Sequence, residues 1–209
     1  MGLVTGRVLL VRHGETTWNR AGRVQGWADA TLTEAGREQA RAVGSHLVDT
    51  HDIDRLVVSD LKRTLETADV FREVGLAVDP ERVRAWRERN FGELQGLTRT
   101  AIASRHPEYH RGGSLLAVRS VEGGESLSAF ETRVREGWER LIDGLGAGVT
   151  VAVVTHGGPI RAVLAEVGGR ELASLATEFS PSNCGLTEIA VDGSESEILV
   201  QDDTDHLSI

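Results

Sequence analysis

The stretch VLLVRHGET, residues 8–16, decides the fold prediction, because four apolar residues run directly into an arginine and a histidine. An apolar run of this length is typical of a buried strand, and Gly14 bounds it. Arg12 and His13 then fall where the strand leaves the sheet, a usual place for ligand sites in open α/β folds. Since arginine binds oxyanions and a neutral histidine can attack phosphorus, the stretch is a candidate phosphate site.

Two further apolar runs end in the same way. RLVVSDLKR at residues 55–63 ends in Arg63, and VTVAVVTHGGP at residues 149–159 leads into His156. The carboxyl ends of neighbouring parallel strands meet at one edge of a sheet. If the three strands lie side by side, we expect two arginines and two histidines to meet at that edge.

The residues after the third run predict a helix start that would favour an anion. Gly157 and Gly158 allow a ligand to approach the backbone closely, and Pro159 is suited to the first position of a helix. The free amide groups at such a start attract negative charge. Together with the arginines and histidines, this helix terminus describes a phosphate pocket.

A metal site is the alternative interpretation of the same residues. His13, His156 and Glu88 provide the two-histidine, one-carboxylate set that iron or zinc can use. The neighbouring Arg12 and Arg63 argue against it, because guanidinium groups repel a divalent cation and hold a phosphate dianion by charge-assisted hydrogen bonds. The sequence therefore favours phosphate and no metal.

The apolar spacing along the rest of the chain predicts alternating strands and helices. Thr33 is placed to cap a helix. Helices are predicted over about 33–49, 61–73, 127–145 and 159–167, and strands over 8–11, 56–58, 149–154, 186–191 and 197–201. This order predicts an α/β fold, a three-layer α/β/α sandwich with a mostly parallel central sheet and helices on both faces.

The remaining segments have weaker patterns. Residues 83–97 mix charges, aromatic residues and glycine as an active-site loop would, and residues 98–121 predict only a weak helix that Pro107 and Gly112-Gly113 interrupt. The strand near 186–191 is a candidate sheet edge, which would either pair with a second copy in a homodimer or face solvent. We expect the acidic tail at 202–209 to fray.

Composition bounds the organisation and the partners. With 209 residues and 40% hydrophobic content, the chain suits one domain over residues 1–209. A net charge of −9 argues against nucleic acid as a partner. Cys184 is the only cysteine, so no intrachain disulfide can form and a cytoplasmic location is predicted. We expect Cys184 itself to be a buried small residue. Because no run approaches the roughly 18 apolar residues of a membrane helix, we expect no membrane partner.

Five motifs carry a family resemblance. They are LVRHGETTWN at 10–19, SDLKRTLETA at 59–68, WRERNFGELQG at 86–96, GGES at 123–126 and THGG at 155–158. In this order they resemble the histidine phosphatase superfamily, whose members include phosphoglycerate mutase-like proteins. The short RHG motif alone is common, but the ordered set is specific and spans most of the chain.

The resemblance implies a role for each of the central residues. His13 would attack phosphorus to form a phosphohistidine, and Glu88 would protonate the leaving group and later activate water. Arg12, Arg63 and His156 would bind the phosphoryl oxygens. Further residues implied to line the substrate site are Asn19, Gln25, Gly26 and the backbone amide of Gly157. No metal or other cofactor is implied.

Three functions remain open at this point. The stretch between Glu88 and His156 is short and lysine-free, and THGGPIR resembles the phosphatase branch. These features favour metal-independent hydrolysis of small phosphorylated metabolites over the alternative, a cofactor-dependent phosphoglycerate mutase. A phosphate-binding module without turnover is the second alternative, although such a protein would be expected to lack His13, Glu88 or an arginine.

The segment at about 98–121 is expected to cover the substrate and set specificity. Its arginines could favour a second anionic group on the substrate, although solvated surface arginines are the commoner outcome. They are Arg99, Arg105, Arg111 and Arg119.

Overall fold

The computed structural model describes residues 5–109 and 113–207, and its centre is a six-stranded mixed sheet. The strands are β1 (Gly6–Arg12), β2 (Arg55–Val58), β3 (Pro80–Arg82), β4 (Thr150–Thr155), β5 (Leu186–Asp192) and β6 (Glu195–Asp203), in the spatial order β3-β2-β4-β1-β5-β6. The first four strands of this order are parallel, and β5 is antiparallel to both of its neighbours, β1 and β6. The predicted α/β fold with a mostly parallel sheet is confirmed.

Helices cover both faces of the sheet. Within the described residues they are α1 (Thr17–Arg20), α2 (Glu34–Thr50), α3 (Lys62–Glu73), α4 (Arg99–Arg105), α5 (Leu127–Asp143), α6 (Gly157–Val167) and α7 (Leu172–Glu178). Successive side chains of a strand point to opposite faces, so β1 contributes to two cores. Leu9 and Val11 pack with α2 and α3, whereas Val8 and Leu10 pack with α5, α6 and α7.

The strand order determines where the predicted site residues lie. β4 lies between β1 and β2, so the three strands are neighbours, and all six residues of β4 are buried. In the register, Arg12 of β1 pairs with Thr155 of β4, and Val58 of β2 pairs with Val154. The three strands therefore end side by side, and their next residues share one edge of the sheet.

Polar side chains fix the starts of the two longest helices. Thr33 caps α2 by accepting a hydrogen bond from the backbone N–H of Gly36, as predicted, and Ser126 caps α5 by accepting one from Ala129. An N-cap of this kind satisfies one of the free amides at a helix start. Both helices therefore begin at the residue after the cap.

Several predicted boundaries need correction. α6 begins at Gly157 rather than Pro159, because His156 is its N-cap residue. β5 was a candidate sheet edge, but it lies between β1 and β6, and β6 is the outer strand. The acidic tail does not fray up to residue 207, since Asp202 and Asp203 belong to β6 and a 3-10 turn follows. Residues 208–209 lie outside the described residues.

Three elements were not predicted. α1 and β3 are only four and three residues long, too short for a periodic pattern. α7 follows α6 after a short connection and buries Leu172, Leu175 and Ala176. No helix of the described ranges is long and apolar enough to span a membrane.

A close backbone contact fixes the loop that follows β1. An added Cβ at Gly14 would lie 2.3 Å from the carbonyl oxygen of Gly36, and one at Gly36 would lie 2.0 Å from that of Glu15. The backbone N–H of Thr33 also donates to the Glu15 carbonyl at 2.9 Å. The first turn of α2 therefore packs directly on the loop that carries His13.

Replacing Gly36 with alanine is expected to lower the free energy of unfolding by about 2 kcal/mol, because the new methyl group would overlap the Glu15 carbonyl. Urea unfolding measures this loss. Gly144→Ala is the matched control, since a Cβ at Gly144 meets nothing nearer than 3.8 Å. Equal losses in the two variants would contradict the close contact.

Candidate active site

A cleft of about 270 Å³ opens at the carboxyl edge of β1, β4 and β2. The predicted residues that line it are Arg12, His13, Asn19, Gln25, Gly26, Arg63 and Glu88. His156 is fully buried behind Arg63. From the start of α6, Gly158 lines the cleft, whereas Gly157 lies beside the side chain of Arg12. A larger cavity of about 420 Å³ between α5, α6 and α7 contains none of the predicted residues.

His13 presents one ring nitrogen to the cleft in a defined protonation state. Its Nδ1 lies 2.8 Å from the carbonyl oxygen of Gly14. A carbonyl oxygen only accepts, so Nδ1 carries the proton and donates it in this hydrogen bond. The neutral ring therefore has its lone pair on Nε2, the atom that a nucleophilic histidine uses.

Arg63 joins the two histidines. It is the second residue of α3, is 1% exposed, and its Nε–H lies 3.2 Å from both His13 Nε2 and His156 Nδ1. Its terminal nitrogens donate to the carbonyl oxygens of Gly26, at 2.8 Å, and Ala28, at 3.2 Å. Burial lowers the pKa of Arg63 to about 10, so the guanidinium stays charged at neutral pH.

His156 has the opposite tautomer. Its Nδ1 accepts from Arg63, so Nε2 carries the proton and donates to Ser59 Oγ at 2.8 Å. Ser59 directly follows β2, and the rings of His156 and His13 meet edge to face with their centroids 5.2 Å apart. The ends of β1, β2 and β4 are thus linked through side chains.

Burial and positive charge keep both histidines neutral. Desolvation lowers the pKa of His13 well below its usual value of 6.5, and the charges of Arg63 and Arg12 lower it further. The pKa of His156 is also well below 6.5, chiefly through burial and then through Arg63. A neutral imidazole keeps the lone pair that attack on phosphorus requires.

Glu88 is held over the cleft by two backbone amides. One carboxyl oxygen accepts from the N–H of Arg89 at 2.8 Å, and the other accepts from the N–H of Gly158 at 3.1 Å. An added Cβ at Gly158 would lie 2.0 Å from Glu88 Oε1, so a side chain there would displace the carboxyl group. The indole of Trp27 donates to the Glu88 carbonyl at 2.7 Å.

Residues 181–184, just before β5, form hydrogen bonds with the end of β1. The Arg12 guanidinium donates to the carbonyl of Pro181, and the side-chain amide of Asn183 donates to the carbonyl of His13 at 2.8 Å. The N–H of Cys184 donates to the Arg12 carbonyl at 3.0 Å, and its thiol is fully buried, as predicted. Arg12 Nε is buried and has no hydrogen-bond partner in the described ranges.

Thr16 positions the two predicted polar residues of the site. Asn19 Oδ1 accepts from the Thr16 backbone N–H at 3.1 Å, and Gln25 Oε1 accepts from the Thr16 hydroxyl at 3.0 Å. The oxygen of each amide is therefore engaged, and the NH₂ group of each is its donor. Gly26 has a φ of +52°, and a Cβ there would lie 2.1 Å from Gln95 Oε1.

Part of the cleft wall was not predicted from the sequence. Arg161 lines the cleft, and its place four residues after Gly157 puts it on the same face of α6, a spacing that could have revealed it. Arg99, among the arginines considered earlier, also lines the cleft, whereas Arg105 and Arg119 are exposed outside it. Arg111 lies outside the described residues.

Two charged residues near the cleft have structural contacts that no pattern indicated. Arg89 is fully buried, and its guanidinium donates to the backbone carbonyls of Glu125, at 3.0 Å, and Leu116, at 2.9 Å. The carboxylate of Glu125 forms an ion pair with Arg133 at 2.7 Å. Arg89 therefore ties the segment near residue 116 to the loop that carries Glu88.

The fold and the site together define a family of phosphate-ester enzymes. Residues 8–204 match the model of the histidine phosphatase superfamily, branch 1, and the chain belongs to that superfamily. The resemblance inferred from the motifs is confirmed.

Among its relatives, the chain is 36% identical to two Arabidopsis thaliana proteins, phosphoglycerate mutase-like protein 4 and a metal-independent phosphoserine phosphatase. Each alignment covers 75% of this chain, and 68% and 66% of the respective relatives. The structure of Bacillus stearothermophilus YhfR is similar over 97% of this chain and 100% of its own, with a TM-score of 0.88 and 29% identity. The relatives thus include both phosphatase and mutase-like proteins.

The two neutral histidines predict a stability loss in weak acid. Below pH 6.5 the unfolded chain binds protons at His13 and His156 that the folded chain does not, so the free energy of unfolding falls as the pH drops. Each histidine contributes a slope of up to about 1.4 kcal/mol per pH unit, and the contribution falls to nearly zero by about pH 8. Urea unfolding at several pH values between about 5 and 8 measures the slope.

His156→Gln provides the comparison, because it removes one of the two groups. The variant is expected to show a smaller slope below pH 6.5 than the wild-type protein, whatever its stability at pH 8. Identical slopes in the two proteins would show that His156 takes up its proton equally in both states.

Proposed function

We propose that this protein is a metal-independent phosphomonoester hydrolase that acts on small phosphorylated metabolites through a phosphohistidine on His13. The observation that carries the proposal is the fixed tautomer of His13, which leaves Nε2 unprotonated at the cleft, where it accepts a hydrogen bond from the buried guanidinium of Arg63. The phosphoserine phosphatase relative is consistent with this activity.

In the first half-reaction, Nε2 of His13 attacks the phosphorus atom and forms an N–P bond. The bond from phosphorus to the ester oxygen breaks, and that oxygen takes the proton of the Glu88 carboxyl group. The alcohol then leaves, and Glu88 remains as a carboxylate. The ring gains positive charge in this step, and the hydrogen bond from Nδ1 to the Gly14 carbonyl stabilises it.

In the second half-reaction, water attacks the phosphohistidine. The Glu88 carboxylate takes a proton from this water, the N–P bond breaks, and its electron pair returns to Nε2. Inorganic phosphate then leaves, and both His13 and Glu88 are restored to their starting states. The amide groups of Arg89 and Gly158 keep the carboxyl group in one position for both steps.

Fixed positive charge stabilises the transferring group. Arg12 and Arg63 line the cleft beside His13, and charge accumulates on the phosphoryl oxygens during transfer. Arg63 Nε lies between the nitrogens of His13 and His156 that a metal ligated by both rings would need. We therefore assign the electrostatic role to the guanidinium groups. Asn19 and Gln25 would donate further hydrogen bonds to the phosphoryl oxygens through their NH₂ groups.

Mutase activity is the second candidate, because the phosphoglycerate mutase-like relative is as similar as the phosphatase relative. Both reactions share the phosphohistidine and differ in what accepts the phosphoryl group. The short lysine-free stretch between Glu88 and His156 favours water as the acceptor.

We also propose that the segment at 98–121, as far as it is described, covers the substrate. Arg99 and the residues from Ser114 to Leu116 line the same cleft as His13. Arg89 holds this segment through backbone carbonyls at residues 115, 116 and 119.

The chemical roles predict different outcomes for two substitutions. His13→Ala is expected to abolish phosphate release, because no nucleophile remains. Glu88→Gln is expected to slow hydrolysis of an alkyl phosphate by about 10²-fold or more, since the alkoxide then leaves without a proton. With para-nitrophenyl phosphate the same variant should still release a burst of nitrophenol, because this leaving group needs no proton.

These rates are measured in the presence of a chelator, which removes metal ions. Phosphate release and the interconversion of phosphoglycerate isomers are followed in parallel. Hydrolysis by His13→Ala at the wild-type rate would contradict the covalent mechanism. Isomer interconversion stimulated by a bisphosphoglycerate, with little free phosphate, would identify a mutase. Turnover of neither kind would favour the phosphate-binding module.

Removing the Arg89 anchor is expected to weaken substrate binding. Arg89→Met leaves several backbone carbonyls without donors, so we expect a stability loss of about 3 kcal/mol and a KM that rises several-fold for alkyl phosphates. Arg119→Gln is the control, because only the backbone carbonyl of this exposed residue contacts Arg89. An unchanged KM in Arg89→Met would contradict the covering role of the segment.

A further inference from the structure

Three residues outside the cleft form a continuous contact path to Glu88. Asp60, Arg87 and Trp27 are not among the described residues that line the cleft, and the chemistry proposed above does not use their side chains. Each of them contacts the next, and Trp27 contacts the backbone of Glu88. The contact path therefore ends at the residue that is proposed to transfer protons.

The contact path begins with an ion pair. Asp60 lies two residues after β2, at the edge of the sheet where the cleft opens. Arg87 Nε donates to one carboxylate oxygen of Asp60 at 2.6 Å, and Arg87 Nη2 donates to the other at 2.7 Å. These hydrogen bonds lower the pKa of Asp60, so its carboxyl group stays ionised at neutral pH. Two parallel hydrogen bonds of this kind fix the orientation of a guanidinium plane.

The oriented guanidinium packs on the indole ring of Trp27. Arg87 Cζ lies 4.7 Å from the ring centroid, which is a cation–π distance. The backbone N–H of Trp27 donates to Gln95 Oε1 at 2.6 Å, so the backbone and the ring of this residue are both held. The indole N–H donates to the Glu88 carbonyl at 2.7 Å. A ring that turned away from Arg87 would lose this hydrogen bond.

The hydrogen bond from Trp27 acts on the peptide unit that also holds the Glu88 carboxyl group. The carbonyl of Glu88 and the N–H of Arg89 belong to one peptide unit, and this N–H donates to the Glu88 carboxyl group at 2.8 Å. A peptide unit is planar, so a contact that fixes its carbonyl also fixes the direction of its N–H. Arg133 Nη2 donates to the same carbonyl at 3.3 Å, and the Trp27 contact is the shorter one.

We propose that Asp60, Arg87 and Trp27 are positioning residues, which hold the Glu88 carboxyl group in place for proton transfer. This inference rests on the proposed function and extends it to residues that lie outside the cleft. A general acid must be within hydrogen-bond reach of the ester oxygen, and a displacement of about 1 Å lowers the rate strongly. The contact path limits that displacement through a single peptide unit.

The test compares two phosphate esters with different leaving groups. Benzyl alcohol must take a proton as it leaves, whereas para-nitrophenolate leaves without one. The measured quantity is kcat/KM, which reports the steps up to the release of the leaving group. In Trp27→Phe and in Asp60→Asn, we expect kcat/KM to fall about tenfold for benzyl phosphate and to stay unchanged for para-nitrophenyl phosphate.

Two variants and a control separate the contact path from general stability. Trp27→Phe keeps a ring beside Arg87 but removes the indole N–H, whereas Asp60→Asn removes one acceptor of the ion pair. If both act through one path, the double variant is expected to lose no more than the more impaired single variant. Glu81→Gln is the matched control and should keep both rates. Glu81 forms the same doubly bonded pair with Arg55 at 2.9 Å, and neither is among the described residues that line the cleft.

A measurement without substrate follows the contact path directly. Exchange of the Trp27 indole proton with solvent is slowed by its hydrogen bond to Glu88, and NMR measures this exchange after assignment through Trp27→Phe. We expect the exchange to be about tenfold faster in Asp60→Asn than in the wild-type protein. The Glu81→Gln control should leave it unchanged.

Equal losses for the two esters in Trp27→Phe and Asp60→Asn would overturn the positioning role, because general distortion does not distinguish leaving groups. Unchanged kcat/KM for both esters, or additive losses in the double variant, would also overturn it. Glu88→Gln tests the proposed function separately. If it slows benzyl phosphate hydrolysis while the other two variants do not, the hydrolytic mechanism stands and the positioning role is wrong.

The indole exchange decides the remaining case. If the wild-type protein releases no phosphate, or Glu88→Gln hydrolyses benzyl phosphate at the wild-type rate, the proposed mechanism is wrong. Faster indole exchange in Asp60→Asn would then still support the contact path that holds Glu88. Unchanged exchange would overturn the contact path as well.

Discussion

The site depends on one buried guanidinium that two imidazole rings share. Arg63 is almost completely removed from water, where a charge is costly, and it remains charged because carbonyl groups and ring nitrogens accept its hydrogen bonds. Its charge in turn helps to keep both rings neutral. The interaction therefore sets the protonation state, the tautomer and the direction of His13 at once.

The sheet makes this interaction possible. β4 lies between β1 and β2, so the residues after three parallel strands reach the same edge without any long loop. The strands are held by cores on both faces, and the close packing of the α2 start on the loop after β1 limits movement of His13. Side chains on such rigid elements need little reorganisation to keep their arrangement when a ligand binds.

Much of the fold and the centre of the site could be predicted, because the relevant signals are local. An apolar run followed by charge predicts a strand end, and Arg12, His13 and His156 follow such runs directly. Arg89 could not be predicted, because it lies in a loop with several arginines and only the folded chain brings carbonyl groups around it. β3 is short and polar, and β5 differs from an edge strand only through its partner β6. These features are set by tertiary contacts rather than by sequence pattern.

The buried Cys184 has a consequence for how the protein tolerates oxidants. Burial raises the pKa of its thiol, and the thiolate is the form that oxidants and alkylating reagents attack. Its backbone N–H donates to the Arg12 carbonyl, so a modified sulfur would disturb the end of β1 next to His13. As the chain has no other cysteine, burial shields its one thiol from reagents in solution, and the described residues that line the cleft include no thiol that oxidants could modify.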